Sequence, residues 1–275
     1  MLLKEGIDID NINRIISFNP KHQNNVDTND YIHPHIILND IEGSTIISIF
    51  ERKDNDIRND GNPLVYALKG INGWTFKDPK KDIYSLFRIF VSVTQRLNNY
   101  FDTLIITPSH NSLNNTVFNY LKRIINVSYS FTDFFLKLPA DIVENNYINF
   151  NDLEKMCKGD TYKFNAIKRD LNRAFDAMYK YNDNIFSYKF FRDSVYRKLI
   201  IKTLELNKDS EDIFKYADVI NDKDIVVFDD TVTTGKTLSE SAEVIYQSFN
   251  PKTITFLTLF SPRTTKQFKN IKFKI

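Results

Sequence analysis

Asp224-Ile225-Val226-Val227-Phe228-Asp229-Asp230-Thr231-Val232-Thr233-Thr234-Gly235-Lys236-Thr237-Leu238 is the stretch on which the fold turns. The unbroken apolar run 225–228 predicts a strand covered on both faces, as in a parallel sheet. Two adjacent carboxylates mark its carboxyl end, and a hydroxyl-rich turn leads into a helix predicted over about 237–249. Asn250-Pro251 ends that helix, and 253–260 reads as the next strand. The same order occurs upstream. Residues 103–107 form an apolar strand closed by Pro108, and Ser112 or Asn114 caps a helix running to Ile125. Two strand–loop–helix units predict an α/β fold: a mostly parallel, twisted sheet with flanking helices.

Each part of the 224–238 segment has a chemical use. A helix start presents unpaired backbone N–H groups and the positive end of the helix dipole, which suits a phosphate. Gly235 lets the backbone turn tightly with no Cβ in the way. Thr233, Thr234 and Thr237 add hydroxyl donors, whereas ionised Asp229 and Asp230 only accept, which suits sugar hydroxyls. Donors for phosphate beside acceptors for hydroxyls describe a sugar-phosphate site. Gly235-Lys236-Thr237 ends like a nucleotide-binding P-loop, but that motif needs glycine where Asp230 stands, and a carboxylate there would repel a triphosphate.

The segment resembles the phosphoribosyl pyrophosphate (PRPP) signature of type I phosphoribosyltransferases: four apolar residues, two acids, a variable stretch, then Thr-Gly-x-Thr. The resemblance implies that Asp229 and Asp230 hold the ribose hydroxyls, with Asp230 beside the reacting carbon as electrostatic stabiliser. It further implies that Thr231, Thr233, Thr234, Gly235, Lys236 and Thr237 contact PRPP, the turn taking the 5′-phosphate. A second loop of the family meets the pyrophosphate; its counterpart here is Pro108, Ser109, His110 and Asn111. The implied cofactor is Mg²⁺, carried by the substrate and water rather than by a protein cage. The implied reaction transfers the phosphoribosyl group to a small-molecule nitrogen acceptor, nucleobases included, with release of pyrophosphate, and the family also admits a homodimer. The departure of the 108–111 loop from the small or basic residues usual there, with the long insertion below, fits an alternative: a PRPP-binding sensor or regulator without catalysis.

Outward from these units the signals are looser. Apolar residues at helical spacing predict a helix over 81–100. Runs 36–41 and 45–51, separated by Glu42-Gly43-Ser44, predict a β-hairpin, and 64–68 reads as a short strand. The first thirty residues are polar and read as a loose lead-in with one short helix. Residues 134–138 read as a strand, 164–181 and 189–206 as helices. The expected division is an N-terminal extension over 1–60, its hairpin a candidate hood, and a phosphoribosyltransferase-like domain over 61–275 with a partly helical insertion at about 140–222. Within the insertion, Lys189, Arg192, Arg197 and Lys198 alternate with Tyr188, Phe190, Phe191 and Tyr196, a basic–aromatic cluster that reads as a helix face or as a cover for the leaving group.

Composition narrows the classes. Net charge of +2 over 275 residues argues against nucleic acid as partner. Cys157 is the single cysteine, so there is no intramolecular disulfide and no cysteine-rich zinc site. The histidines His22, His33 and His35 do not make a metal site by their spacing. No apolar run approaches the ~20 residues that span a bilayer, and acidic residues follow Met1 too soon for a secretory signal, so a cytoplasmic protein without membrane association is expected.

Overall fold

A computed structural model describes residues 6–19, 26–27, 35–38, 44–52, 63–96, 101–109, 112–191, 194–232 and 235–260. The chain divides into two compact units, Met1–Phe134 with Asp209–Ile275, and Phe135–Lys208. In chain order the first unit contains β1 (Gly6–Asp10), β2 (Ile15–Asn19), β3 (Val26–Asp27), β4 (His35–Leu38), β5 (Ser44–Arg52), α1 (Pro63–Lys69), β6 (Thr75–Phe76), α2 (Pro79–Arg96), β7 (Thr103–Ile106), α3 (Ser112–Ile124) and β8 (Tyr129–Phe131). The second unit holds β9 (Phe135–Lys137), α4 (Ala140–Asn146), α5 (Phe150–Cys157), α6 (Thr161–Tyr181) and β10 (Leu204–Leu206). The first unit then resumes with α7 (Ile213–Ile220), β11 (Asp224–Thr231), α8 (Lys236–Ser248) and β12 (Thr253–Phe260).

The main sheet runs β8-β7-β11-β12-β5, and every pair along that path is parallel. β3 and β4 add antiparallel strands on β5. The expected α/β architecture with a parallel sheet is therefore present. Side chains alternate between faces. Val226 and Phe228 join Leu104, Ile106, Leu257 and Leu259 in one core with residues of α1, α2 and α3. Ile225 and Val227 face the other way and are equally buried, so the strand is covered twice, as its apolar run predicts. On that second side Thr103 Oγ1 donates to the Val219 carbonyl at 2.6 Å, tying β7 to α7. Phe50 and Phe260, paired across β5 and β12, stack with ring centres 5.3 Å apart.

The topology fixes where a ligand can bind. β7 continues through α3 to β8 on one side, while its neighbour β11 continues through α8 to β12 on the other. The connections diverge, leaving a crevice beyond the carboxyl ends of β7 and β11; this is the switch point at which open α/β sheets bind ligands. At the amino ends the polar groups are paired off. Asp224 accepts from Lys252 and Thr253, both at 2.7 Å, and its amide donates to Asp102.

Several elements differ from the sequence expectation. Residues 64–68 are helix, not strand. Pro63 occupies the first helical position, where its missing N–H costs nothing. The other end is a Schellman motif: Gly70 N–H donates to Ala67 O, Ile71 N–H to Tyr66 O, and Gly70 has φ +61°. The N-terminal stretch carries no helix among its described residues; β1 and β2 form an antiparallel hairpin that buries Ile7, Ile16 and Phe18. Its turn is an Asx turn, Asp10 Oδ1 accepting from the amides of Ile12 and Asn13. The segment 189–206 is two 3₁₀ turns (Tyr188–Phe190 and Ser194–Leu199) followed by β10. The hairpin expected around 36–51 is present as β4 and β5, and β5 also pairs in parallel with β12, so its second strand belongs to the main sheet.

The second unit has its own core. Leu153, Leu171, Phe175, Met178, Phe186 and Leu199 pack together between α4, α5, α6 and the 3₁₀ segment. Asn149 and Asp160 cap α5 and α6, accepting from the amides of Asp152 and Lys163. This unit spans a shorter range than the insertion read from sequence. α7 belongs to the first unit, where its Tyr216, Val219 and Ile220 are buried.

Candidate functional site

Asp229 and Asp230 stand where β11 runs out at the switch point. Successive residues of a strand face opposite sides, so the two carboxylates meet different surroundings. Asp229 shares its face with Thr107, Thr258 and Ser48, a hydroxyl-bearing row across four neighbouring strands. Thr107 Oγ1 donates to Asp229 Oδ1 at 2.9 Å, and the Asp230 amide donates to the same oxygen at 2.9 Å. Ser48 and Thr258 bond each other at 2.8 Å. Thr107 is held in place by its own amide, which donates to Phe228 O and carries the β7–β11 pairing one step past Ile106.

Burial, and then the adjacent charge of Asp230, oppose ionisation of Asp229 and push its pKa up to about 6; the Thr107 hydroxyl, the Asp230 amide and the Lys69 charge act in the opposite direction. Asp230 lies on the face covered by α1–α3. It is buried, and its Oδ2 is 2.5 Å from Lys69 Nζ, which reaches it from the last turn of α1. The neighbouring acids thus part in role: among the described residues, Asp230 pairs with a cation and Asp229 accepts from a hydroxyl and an amide.

Beyond Asp230, Thr231 is half-buried, and its hydroxyl is buried with no hydrogen-bond partner among the described residues. Val232 N–H donates to Phe260 O, prolonging the β11–β12 pairing. Gly235 caps α8 with φ +74°, and its carbonyl accepts from Ser239. Lys236 Nζ lies 3.3 Å from the carboxylate of Glu240, itself buried in the same helix. Thr237 is half-buried. From the β7 side, Pro108 and Ser109 follow Thr107 directly toward the crevice. Thr233, Thr234, His110 and Asn111 lie outside the described residues.

The structure therefore brings the Asp229–Asp230 pair, the start of α8 and the end of β7 to one place. It also adds two residues that sequence reading missed in this role. Lys69 directly follows the stretch 64–68 read as strand, and nothing local marks it as a partner for Asp230. Asn114, read as a helix cap, is buried in the first turn of α3, its Nδ2 3.4 Å from Thr107 O. Its Oδ1 has no hydrogen-bond partner among the described residues.

The basic–aromatic cluster lies in the second unit, with Arg192 outside the described residues. Lys189 donates to Asn182 and sits 4.9 Å from the Phe190 ring centre, while Arg197 sits 5.7 Å from that of Tyr188. These cations are engaged within their own unit. Among the described residues no cluster of three or more metal-ligating side chains occurs, and no helix is long and apolar enough to cross a membrane. Compared with protein-family models, curated proteins and solved structures, the chain matches none of them.

Proposed function

We propose that the crevice beyond β7 and β11 binds PRPP and that the chain transfers its phosphoribosyl group to a nitrogen acceptor, releasing pyrophosphate. The observation that carries this reading is the pairing of ribose-type acceptors, Asp229 and Asp230, with the glycine-capped start of α8 at a sheet switch point. The buried polar atoms of Asn114 and Thr231 that lack a partner among the described residues support it, since such groups call for a partner from ligand or water.

In this reading the ribose hydroxyls donate to the ionised carboxylates. The backbone N–H groups at the start of α8, with Thr237, take the 5′-phosphate. As the bond from the anomeric carbon to pyrophosphate breaks, positive charge grows on the ribose ring. A carboxylate already in place beside the ring stabilises that charge without reorganisation. Asp230 is suited to this task, because it is buried and the Lys69 ammonium, 2.5 Å away, fixes its carboxylate in place. Asp229 and Asp230 are hard oxygen donors, a chemistry that suits Mg²⁺, an ion that keeps much of its shell as water and substrate phosphate. Bound with the substrate, Mg²⁺ would neutralise part of the charge on the leaving pyrophosphate.

A second reading is a PRPP-binding regulator that does not turn over. The Lys69–Asp230 ion pair favours it, since a carboxylate already satisfied by a cation binds a hydroxyl less strongly. Titration calorimetry of PRPP with Mg²⁺, followed by a pyrophosphate-release assay over a panel of nitrogen heterocycles, separates the two. The transferase predicts binding and release, with binding weakened at least tenfold by Asp229→Asn/Asp230→Asn. Binding without release selects the regulator, and no binding by the wild type removes both.

A further inference from the structure

The face of the sheet that carries Asp230 also carries a second feature. A cavity of about 330 Å³ opens between α1, α2 and α3. Leu259, in its wall, lies on β12 between the paired positions Thr258 and Phe260, directly across from Asp230 between Asp229 and Thr231. Leu68, in another wall, precedes Lys69, whose ammonium holds Asp230. The cavity therefore shares its walls with the elements that position the Asp230–Lys69 pair.

Its lining is aromatic and aliphatic. Leu86 and Phe90 stand on α2, and Phe87 and Tyr120 face each other from α2 and α3 with ring centres 4.8 Å apart. Polar groups are few and peripheral. The Thr116 hydroxyl already donates to the Ser112 carbonyl at 2.9 Å, and Lys80, Tyr84 and Tyr120 are exposed at the rim. A site of this kind holds a flat ring by contact and desolvation and offers little to an edge crowded with donors and acceptors.

Resting on the phosphoribosyl reading, we infer that this cavity receives the acceptor, and that the acceptor is a weakly polar, bicyclic aromatic nitrogen heterocycle rather than an oxo-purine. Its apolar edge would lie against Leu86 and Phe90, and its ring nitrogen would point toward the end walled by Leu68 and Leu259, the lining residues that neighbour Lys69 and Asp230.

Benzimidazole and hypoxanthine serve as the two probes, titrated into the full chain by ligand-observed NMR with and without PRPP and Mg²⁺. Thr116 is exposed on α3, so Thr116→Trp places a large ring at the cavity mouth without entering the core, and Thr116→Ser is the control. Expected are benzimidazole binding at least tenfold tighter than hypoxanthine, loss of benzimidazole by at least tenfold in Thr116→Trp, and retention in Thr116→Ser. Unchanged circular dichroism melting shows that the Trp variant is folded. PRPP binding should survive Thr116→Trp and fail in Asp230→Asn, which keeps the probe. No benzimidazole binding by the wild type, equal binding by Thr116→Trp, or hypoxanthine binding as tight as benzimidazole overturns the assignment, whatever PRPP does. Benzimidazole bound as expected but PRPP not bound at all overturns the phosphoribosyl reading and, with it, the acceptor role.

Discussion

Asp229 is held by Thr107 and by the amide of Asp230 in a place where burial and a neighbouring charge oppose its ionisation. Its folded carboxyl titrates near 6 against 3.8 for an unperturbed one, so between those values the folded chain binds more protons than the unfolded chain. Stability from this group is full below about pH 4 and is lost as pH rises through about 6. Asp229→Asn should therefore raise stability at pH 7 by roughly 1–3 kcal/mol, with the gain vanishing near pH 4, in thermal unfolding at both pH values. The same variant should lose PRPP, and wild-type affinity for PRPP should fall as pH drops through about 6, because only the ionised carboxylate accepts from both ribose hydroxyls. Lys69→Met leaves Asp230 buried without its cation and should cost about 1–3 kcal/mol in denaturant unfolding. The acids and the glycine were legible because they are contiguous and each residue type has a local reason to be there. Lys69 was not, because its role comes from packing α1 beside β11, and no local pattern encodes that distance.

Among the elements, β7, β11, α8 and β12 were legible from uninterrupted apolar runs and clear stops, whereas α1 was misread. In Leu64-Val65-Tyr66-Ala67-Leu68 the alternation of strand and the stripe of helix are both short enough to fit. The deciding residues were the flanks, Pro63 at the start and Gly70 just past the end. The second error, over 189–206, has the opposite cause. Helix-forming residues are plentiful there, but Tyr188, Phe186 and Phe191 pack as a ring cluster around the first of the two 3₁₀ turns. Gly70 offers a clean test, since a Cβ added there meets nothing within 4 Å and the φ of +61° is the sole penalty. Gly70→Ala should cost about 1 kcal/mol by denaturant midpoint, with no steric contribution. Gly235→Ala, at φ +74° at the start of α8, should cost a similar amount and, on the proposed function, also weaken PRPP binding.

At the scale of the molecule, the first unit carries the sheet and the candidate site, and the second closes its own apolar core around Phe175 and Met178. Phe175→Ala should cost that core about 3–5 kcal/mol. Hydrogen exchange should then quicken over Phe135–Lys208 while the amides of β11 keep their protection; equal loss in both would show that they unfold as one. The position of this insertion was readable because it parts two regular strand–loop–helix units. Its boundary was not, since α7 is as apolar as a core helix of either unit and shows its membership only by packing. The hydrogen bond between Thr107 and Asp229 joins residues 122 positions apart, across the whole of the second unit. Such a contact is made only after a long loop has closed, a slow step in assembly. The carboxylate thus receives its hydroxyl partner late, and a ligand that recognises the finished pair would stabilise only chains that have completed folding. Ligand affinity and refolding kinetics should report on the same event.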